Sequence, residues 1–215
     1  REALKRDMHV MLFSDNVTVE QELELKTLAH EKGLLVMGPD CGTAILGGVG
    51  LCFANQVHRG RIGMVAASGT GLQEVCVLVD RLGEGISQTI GTGGRDLSAT
   101  IGGRMMLDGI NLLDADPDTE VIVVISKPPV REVAEKMVAR IKTCTKPVVV
   151  CFIAGTPELL GGTDAIWAAS LEDAAIQAVA AVRGERASVS RGTTFPIDEA
   201  AIQAAAAALK PEQKY

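Results

Sequence analysis

Aromatic side chains are scarce: four Phe, one Trp and one Tyr occur in 215 residues. Six rings are too few for the stacking platforms that single-stranded nucleic acid requires. A basic surplus is missing as well. The chain has 21 Lys and Arg against 27 Asp and Glu, a formal charge of −6, which excludes a face built to neutralise phosphate backbones. No apolar run reaches the length of a membrane span; the longest are strand-sized and broken by charge or glycine. The five cysteines (Cys41, Cys52, Cys76, Cys144, Cys151) are an odd number without CxxC spacing. They read as reduced thiols of a cytoplasmic protein, not as a disulfide or zinc framework. Carboxylate clusters with metal-ligand spacing are absent, and so is any Gly-Lys-Ser/Thr of a nucleotide-binding P-loop.

What the chain does have is 47% apolar residues, enough for a substantial core, and 23 glycines. Its apolar runs follow a rhythm. His9–Ser14 reads as a strand, and Thr18 with Gln21 as a capping box for a helix to about Lys32, apolar at Val19, Leu23, Leu25 and Leu28. Leu34–Met37 is a second strand, and 41–58 reads as a long connector. From Gly60 strands and helices alternate: strand 61–66, helix 72–82, strand 86–90, helix 97–113, strand 120–125, helix 131–142, strand 147–153, a short 165–168 segment and helix 171–182. Uninterrupted apolar strands between helices mean a parallel sheet covered on both faces, so a doubly wound α/β domain is expected over 59–183. Residues 184–197 have linker composition, and an alanine-rich helix is expected over 198–209. Opening on Arg1 and ending on Lys-Tyr after a helix, the chain reads as a piece of a longer polypeptide.

In open parallel sheets ligands bind beyond the carboxyl ends of the strands, at helix N-termini. Two loops fall there. Ser68, Gly69, Thr70 and Gly71 follow one strand and open a helix; Gly91, Thr92, Gly93 and Gly94 follow the next, with Arg95 adding a guanidinium. Each has two readings, an anion cradle or a turn made glycine-rich for packing. Lys127, after the third strand, is either a cation at the ligand edge or a rim lysine. Cys41, in Gly38-Pro-Asp-Cys-Gly42, is either a nucleophile or a small residue in a tight turn, with no histidine near it in sequence. His9 and His30 read as structural or solvated, and His58 as a surface residue.

Taken in order, Gly38-Pro-Asp-Cys-Gly42, Gly60-Arg-Ile-Gly63, Ala67-Ser-Gly-Thr-Gly71, Gly91-Thr-Gly-Gly94 and Lys146-Pro-Val-Val-Val150 resemble the alpha subunit of succinyl-CoA synthetase. The extended set Gly91-Thr-Gly-Gly-Arg-Asp-Leu97 and Ser126-Lys-Pro-Pro129 is most similar to the FdrA-type branch of that superfamily. The resemblance implies a flavodoxin-like ligase domain over 59–183. Residues 1–58 would be the C-terminal part of a Rossmann-like CoA-binding domain, and 184–215 a linker and helix leading to a further domain. It also implies CoA in the whole protein, ATP or ADP with Mg through a partner domain, and assembly as a homo-oligomer or with a partner subunit.

By the same resemblance, Ser68, Gly69 and Thr70 match a phosphate-holding helix N-terminus, and Cys41 matches a cysteine near the acyl and thiol end of the site. Two departures stand out. The family's phosphohistidine loop should follow Phe152–Gly155, but Thr156-Pro-Glu-Leu-Leu-Gly-Gly162 is there and no histidine occurs after His58. Lys127 stands where the family has the glutamate that orients the phosphohistidine. The expectation is therefore an acyl-CoA-synthetase-like enzyme that handles an acyl or carbamoyl phosphate without a phosphohistidine. The alternatives are a carbamoyltransferase subunit of ureide or oxamate metabolism and a non-catalytic scaffold subunit.

Overall fold

The computed structural model describes residues 1–185 and 198–210. After a short helix, α1 (Glu2–Lys5), strand β1 (Val10–Met11) leads through helix α2 (Val19–Glu31) to β2 (Val36–Met37), and the two strands pair in parallel. The capping box closes as expected: Thr18 Oγ1 accepts from the Gln21 N–H at 3.2 Å, and Gln21 Oε1 accepts from the Thr18 N–H at 3.1 Å. The buried row of α2 is not the apolar one. Glu22, Lys26 and Ala29 face inward with no solvent exposure, while Leu23, Leu25 and Leu28 flank them half-buried.

The segment expected as a connector forms a hairpin. Strands β3 (Thr43–Leu46) and β4 (Val49–Cys52) pair antiparallel around Gly47 and Gly48. Both glycines have positive φ, 59° and 81°, which the two-residue turn between Leu46 and Val49 needs and few other residues tolerate. Next come β5 (Arg59–Ala66), α3 (Gly69–Arg81), β6 (Ile86–Gly91), α4 (Arg104–Ala115), β7 (Val121–Ser126), α5 (Arg131–Ile141), β8 (Val148–Phe152), β9 (Ile166–Trp167) and α6 (Leu171–Val182). A final helix, α7 (Glu199–Ala208), buries none of its residues. All but the first two residues of the expected 184–197 linker lie outside the described residues.

One sheet carries the site. Its strand order is β4-β3-β6-β5-β7-β8-β9, with β6 through β9 parallel and the β3–β4 hairpin added antiparallel at one edge. Numbered along the chain, the five parallel strands run 2-1-3-4-5, the flavodoxin-like order expected for the ligase domain. Every residue of β7 and β8 is buried, which is why these strands are continuous apolar runs. Leu72, Val75 and Val79 of α3 pack with Ala174, Ala175 and Ala178 of α6 on one face. Met106, Ile110 and Leu113 of α4 pack with Val133 and Met137 of α5 on the other, joined there by Ala29, Leu35 and Val36.

Helix α4 starts seven residues later than the apolar period suggests. Gly102 and Gly103 take φ of 76° and 73°, which ends any helical path before Arg104. A distant carboxylate replaces the missing cap: Asp96 accepts from the Met105 N–H at 3.3 Å and the Met106 N–H at 2.9 Å.

Candidate functional site at the switch point of the sheet

The chain leaves β5 in one direction, to β6, and β7 continues in the other. The gap between the carboxyl ends of β5 and β7 is therefore the topological switch point, where sheets of this kind take ligands. A cleft of about 320 Å³ opens there, lined by Ser68, Gly94, Ser98, Ser126 and Lys127 among others. Ser68 is the N-cap of α3; its Oγ accepts from the Gly71 N–H at 3.3 Å, and its carbonyl accepts from the Leu72 N–H at 2.9 Å. The Gly69 and Thr70 amides are left at the first turn without an intrahelical acceptor, at the positive end of the helix dipole. Lys127 extends from the end of β7, exposed, with no ion-pair partner among the described residues.

A larger cleft of about 720 Å³ lies on the other side of the same helix end, between Gly69, Thr70 and Gln73 and the carboxyl ends of the N-terminal strands. Exposed Phe13 and Phe53 meet edge-to-face on its rim at 5.5 Å between centroids, and Asp15 and Asp40 add two carboxylates. Neither Lys nor Arg lines it. Gln73 fixes the hairpin to α3 by donating to Thr43 Oγ1 at 2.7 Å and to the Phe53 carbonyl at 2.8 Å.

The sequence-expected residues separate into three groups. Ser68, Gly94 and Lys127 meet at the switch-point cleft, and Gly69 and Thr70 face the larger one. Gly71, Gly91, Thr92 and Gly93 are packing positions instead. A Cβ on Gly71 would stand 2.9 Å from Ser68 Oγ and 3.2 Å from an Ile125 methyl. On Gly91 it would meet Cys41 Sγ at 2.5 Å, and on Gly93 the Pro39 carbonyl at 2.2 Å. The second glycine loop is thus pressed, backbone to backbone, against the Gly38–Gly42 turn. Cys41 is buried in that seam, its Sγ 3.6 Å from the Thr43 carbonyl. Burial pushes its thiol up from the ordinary value, and the seam shields it from both clefts. The Arg95 guanidinium also turns away from the clefts, donating to the Val17 carbonyl at 2.7 Å.

A buried charge cluster escaped the sequence reading. Lys26 Nζ donates to Glu22 Oε1, the Thr92 carbonyl and Asp96 Oδ1, each at 2.8 Å, and all three side chains are wholly buried. Arg95 Nε sits 2.9 Å from Glu22 Oε2 but off its N–H direction, an ion pair without a hydrogen bond. The only signal for it is the Glu22/Lys26 spacing of four residues, which ordinarily marks a solvated helix face.

None of the three histidines lines either cleft. His58 stands 88% exposed at the amino end of β5, against Asp80; His30 pairs with Asp108; His9 Nδ1 accepts from the Leu35 N–H at 2.9 Å. Among the described residues no cluster of three metal-ligating side chains occurs, and no helix is long and apolar enough to cross a membrane.

An open parallel sheet with a cleft at its switch point makes this a doubly wound α/β domain of flavodoxin-like strand order. The sequence pattern of the CoA binding domain family matches residues 58–154. YahF of Escherichia coli (strain K12) is 52% identical over 215 residues, covering 100% of this chain and 41% of that protein. The mitochondrial succinate–CoA ligase [ADP-forming] subunit alpha-2 of Trichomonas vaginalis is 30% identical over 152 residues, 68% of this chain and 48% of that one. Among solved structures, ATP citrate lyase from Methanothrix soehngenii in complex with citrate and coenzyme A superposes with a TM-score of 0.68 at 19% identity. That match covers 100% of this chain and 42% of the other. Over about two thirds of its length the chain is similar to alpha subunits of succinate–CoA ligases. It spans less than half the length of these relatives.

Proposed function

We propose that the chain supplies the anion-binding part of an acyl-CoA-synthetase-like enzyme that handles an acyl or carbamoyl phosphate without a phosphohistidine. The observation that carries the reading is the meeting of the α3 N-terminus and Lys127 at the switch point, in a chain with no histidine at either cleft. The phosphoryl group belongs in the smaller cleft, against Lys127 and the Ser68 end of α3. The acyl carbon then points past Gly69 into the larger cleft. When the bond between acyl carbon and phosphate oxygen breaks, negative charge grows on the phosphate. The α3 end is fixed beside the place where that charge develops and Lys127 adds a cation there, so both favour its departure.

Coenzyme A would supply a thiol to attack the acyl carbon. The larger cleft suits the uncharged arm of that cofactor, with Phe13 and Phe53 as apolar surface and Gln73 nearby as a polar group. It does not suit the cofactor's phosphates, because Asp15 and Asp40 line it and no cation does. Those phosphates, and any ATP or ADP with Mg, belong to other parts of the assembly, either a partner subunit or a second copy of the chain. The FdrA-type branch fits this reading because carbamoyl transfer needs no phosphohistidine.

Titration of acetyl phosphate and carbamoyl phosphate into the parent and Lys127→Ala tests the reading. A charge-assisted contact is worth about 1.5–3 kcal/mol. Solvent screens exposed Lys127, so the low end applies and affinity should fall about tenfold. Gly69→Val should also weaken binding, since a Cβ there enters open space with nothing within 4 Å. Equal affinity in all three proteins, or acid-labile phosphate on a histidine after incubation with labelled ATP, overturns the reading in favour of a scaffold subunit or a phosphohistidine enzyme, respectively.

A further inference from the structure

The wall of the switch-point cleft that carries Gly94, Leu97 and Ser98 is a loop with no regular structure of its own. Its anchors come from elsewhere. Lys26 of α2 holds the Thr92 carbonyl and the Asp96 carboxylate, both at 2.8 Å. Arg95 reaches back to the Val17 carbonyl, just ahead of α2, and to Glu22. Asp96 passes the restraint on to the first amides of α4. Gly93 is pinned beneath the Pro39 carbonyl. The loop is therefore tied to the segment 17–39 at four positions around Gly94, namely Thr92, Gly93, Arg95 and Asp96, while Thr92 and Asp96 also bind it to its own sheet domain, through the Ala66 carbonyl and the first turn of α4.

A wholly buried Lys between two carboxylates is a costly way to fill space. Packed apolar side chains often serve stability as well or better, so the cluster's value lies in the single geometry it enforces. We infer that Lys26, Glu22 and Arg95 are positioning residues that hold the Gly94 wall at the distance the anion needs. The seat of α2 then sets the affinity of a cleft that α2 does not touch. This inference rests on the anion reading of that cleft and adds its regulation: whatever shifts α2 changes phosphate binding through Thr92 and Asp96.

Arg95→Gln is the test variant, because Arg95 sits at the rim of the cluster with its side chain 41% exposed and leaves the buried trio intact. In the full chain, inorganic phosphate should bind Arg95→Gln about five-fold more weakly than the parent, the loss of roughly one ion pair. Amides 93–98 should exchange with deuterium faster, while the melting temperature falls by no more than about 4 °C. Arg95→Lys, which keeps a cation, should recover most of the affinity. Unchanged phosphate affinity in Arg95→Gln, with Lys127→Ala weakened, overturns the positioning role and leaves the anion site standing. A parent chain that binds no phosphate overturns both.

Discussion

Replacing Lys26 by Met removes the cation at the centre of the buried cluster while keeping most of its volume. Two carboxylates, Glu22 and Asp96, both without solvent exposure, then lose a 2.8 Å partner each, and the Thr92 carbonyl loses its donor. Removing one partner of a buried ion pair costs about 3–5 kcal/mol. Here Arg95 still faces Glu22 and the Met106 amide still donates to Asp96, so the lower part of that range applies, about 3–4 kcal/mol. For a chain of this size each kcal/mol lowers the melting temperature by about 2–4 °C, so a fall of about 6–16 °C is expected. Urea unfolding followed by far-ultraviolet circular dichroism measures it, with an unchanged slope showing that the same surface unfolds. Adding Glu22→Leu to Lys26→Met should restore at least about 1 kcal/mol, because the buried carboxylate that lost its lysine is then gone. A loss below about 1 kcal/mol in Lys26→Met, or further destabilisation in the double variant, refutes the reasoning.

Gly109 lets α4 lie directly on β5: a Cβ there would stand 2.7 Å from a Val65 methyl, so Gly109→Val should cost about 1–3 kcal/mol in the same unfolding assay. Thiol modification of the folded chain near neutral pH should reach exposed Cys52 first, with buried Cys41, Cys76 and Cys151 reacting only on unfolding; mass spectrometry of the labelled peptides checks the order. Burial pushes the Cys76 thiol from 9.0 to about 12 and that of Cys151 to about 11. The unfolded chain therefore gives up these protons first, and stability should fall as pH rises above about 9, levelling near 12; a stability flat across that range contradicts it.

The sheet was legible because its signals are local and unambiguous. Val121–Ile125 can only be a strand buried on both faces, and Thr18 with Gln21 can only begin a helix economically. The hairpin was hidden by its brevity, since two four-residue strands show no period; Gly47-Gly48 was the sign that mattered. Glu22 and Lys26 were hidden by their chemistry, because a charged pair four residues apart looks like a wet face until Asp96, 70 residues on from Lys26, is placed against it. Within the candidate site, Ser68 and Lys127 could be located from strand ends alone. Gly91 and Gly93 could not be sorted from Gly94. A glycine reports that something approaches closely, and the same letter serves whether the neighbour is a ligand or, as here, Cys41 and the Pro39 carbonyl.

The central claim is that phosphate binds where β5 and β7 part. Backbone amide resonances followed during a titration with inorganic phosphate test it residue by residue. Saturable shifts are expected at Ser68, Gly94, Ser98 and Lys127, with the buried amides of Gly91 and Thr92 moving far less. Shifts absent from those four residues at millimolar phosphate, or confined to the Asp15 and Asp40 side of the larger cleft, would contradict it.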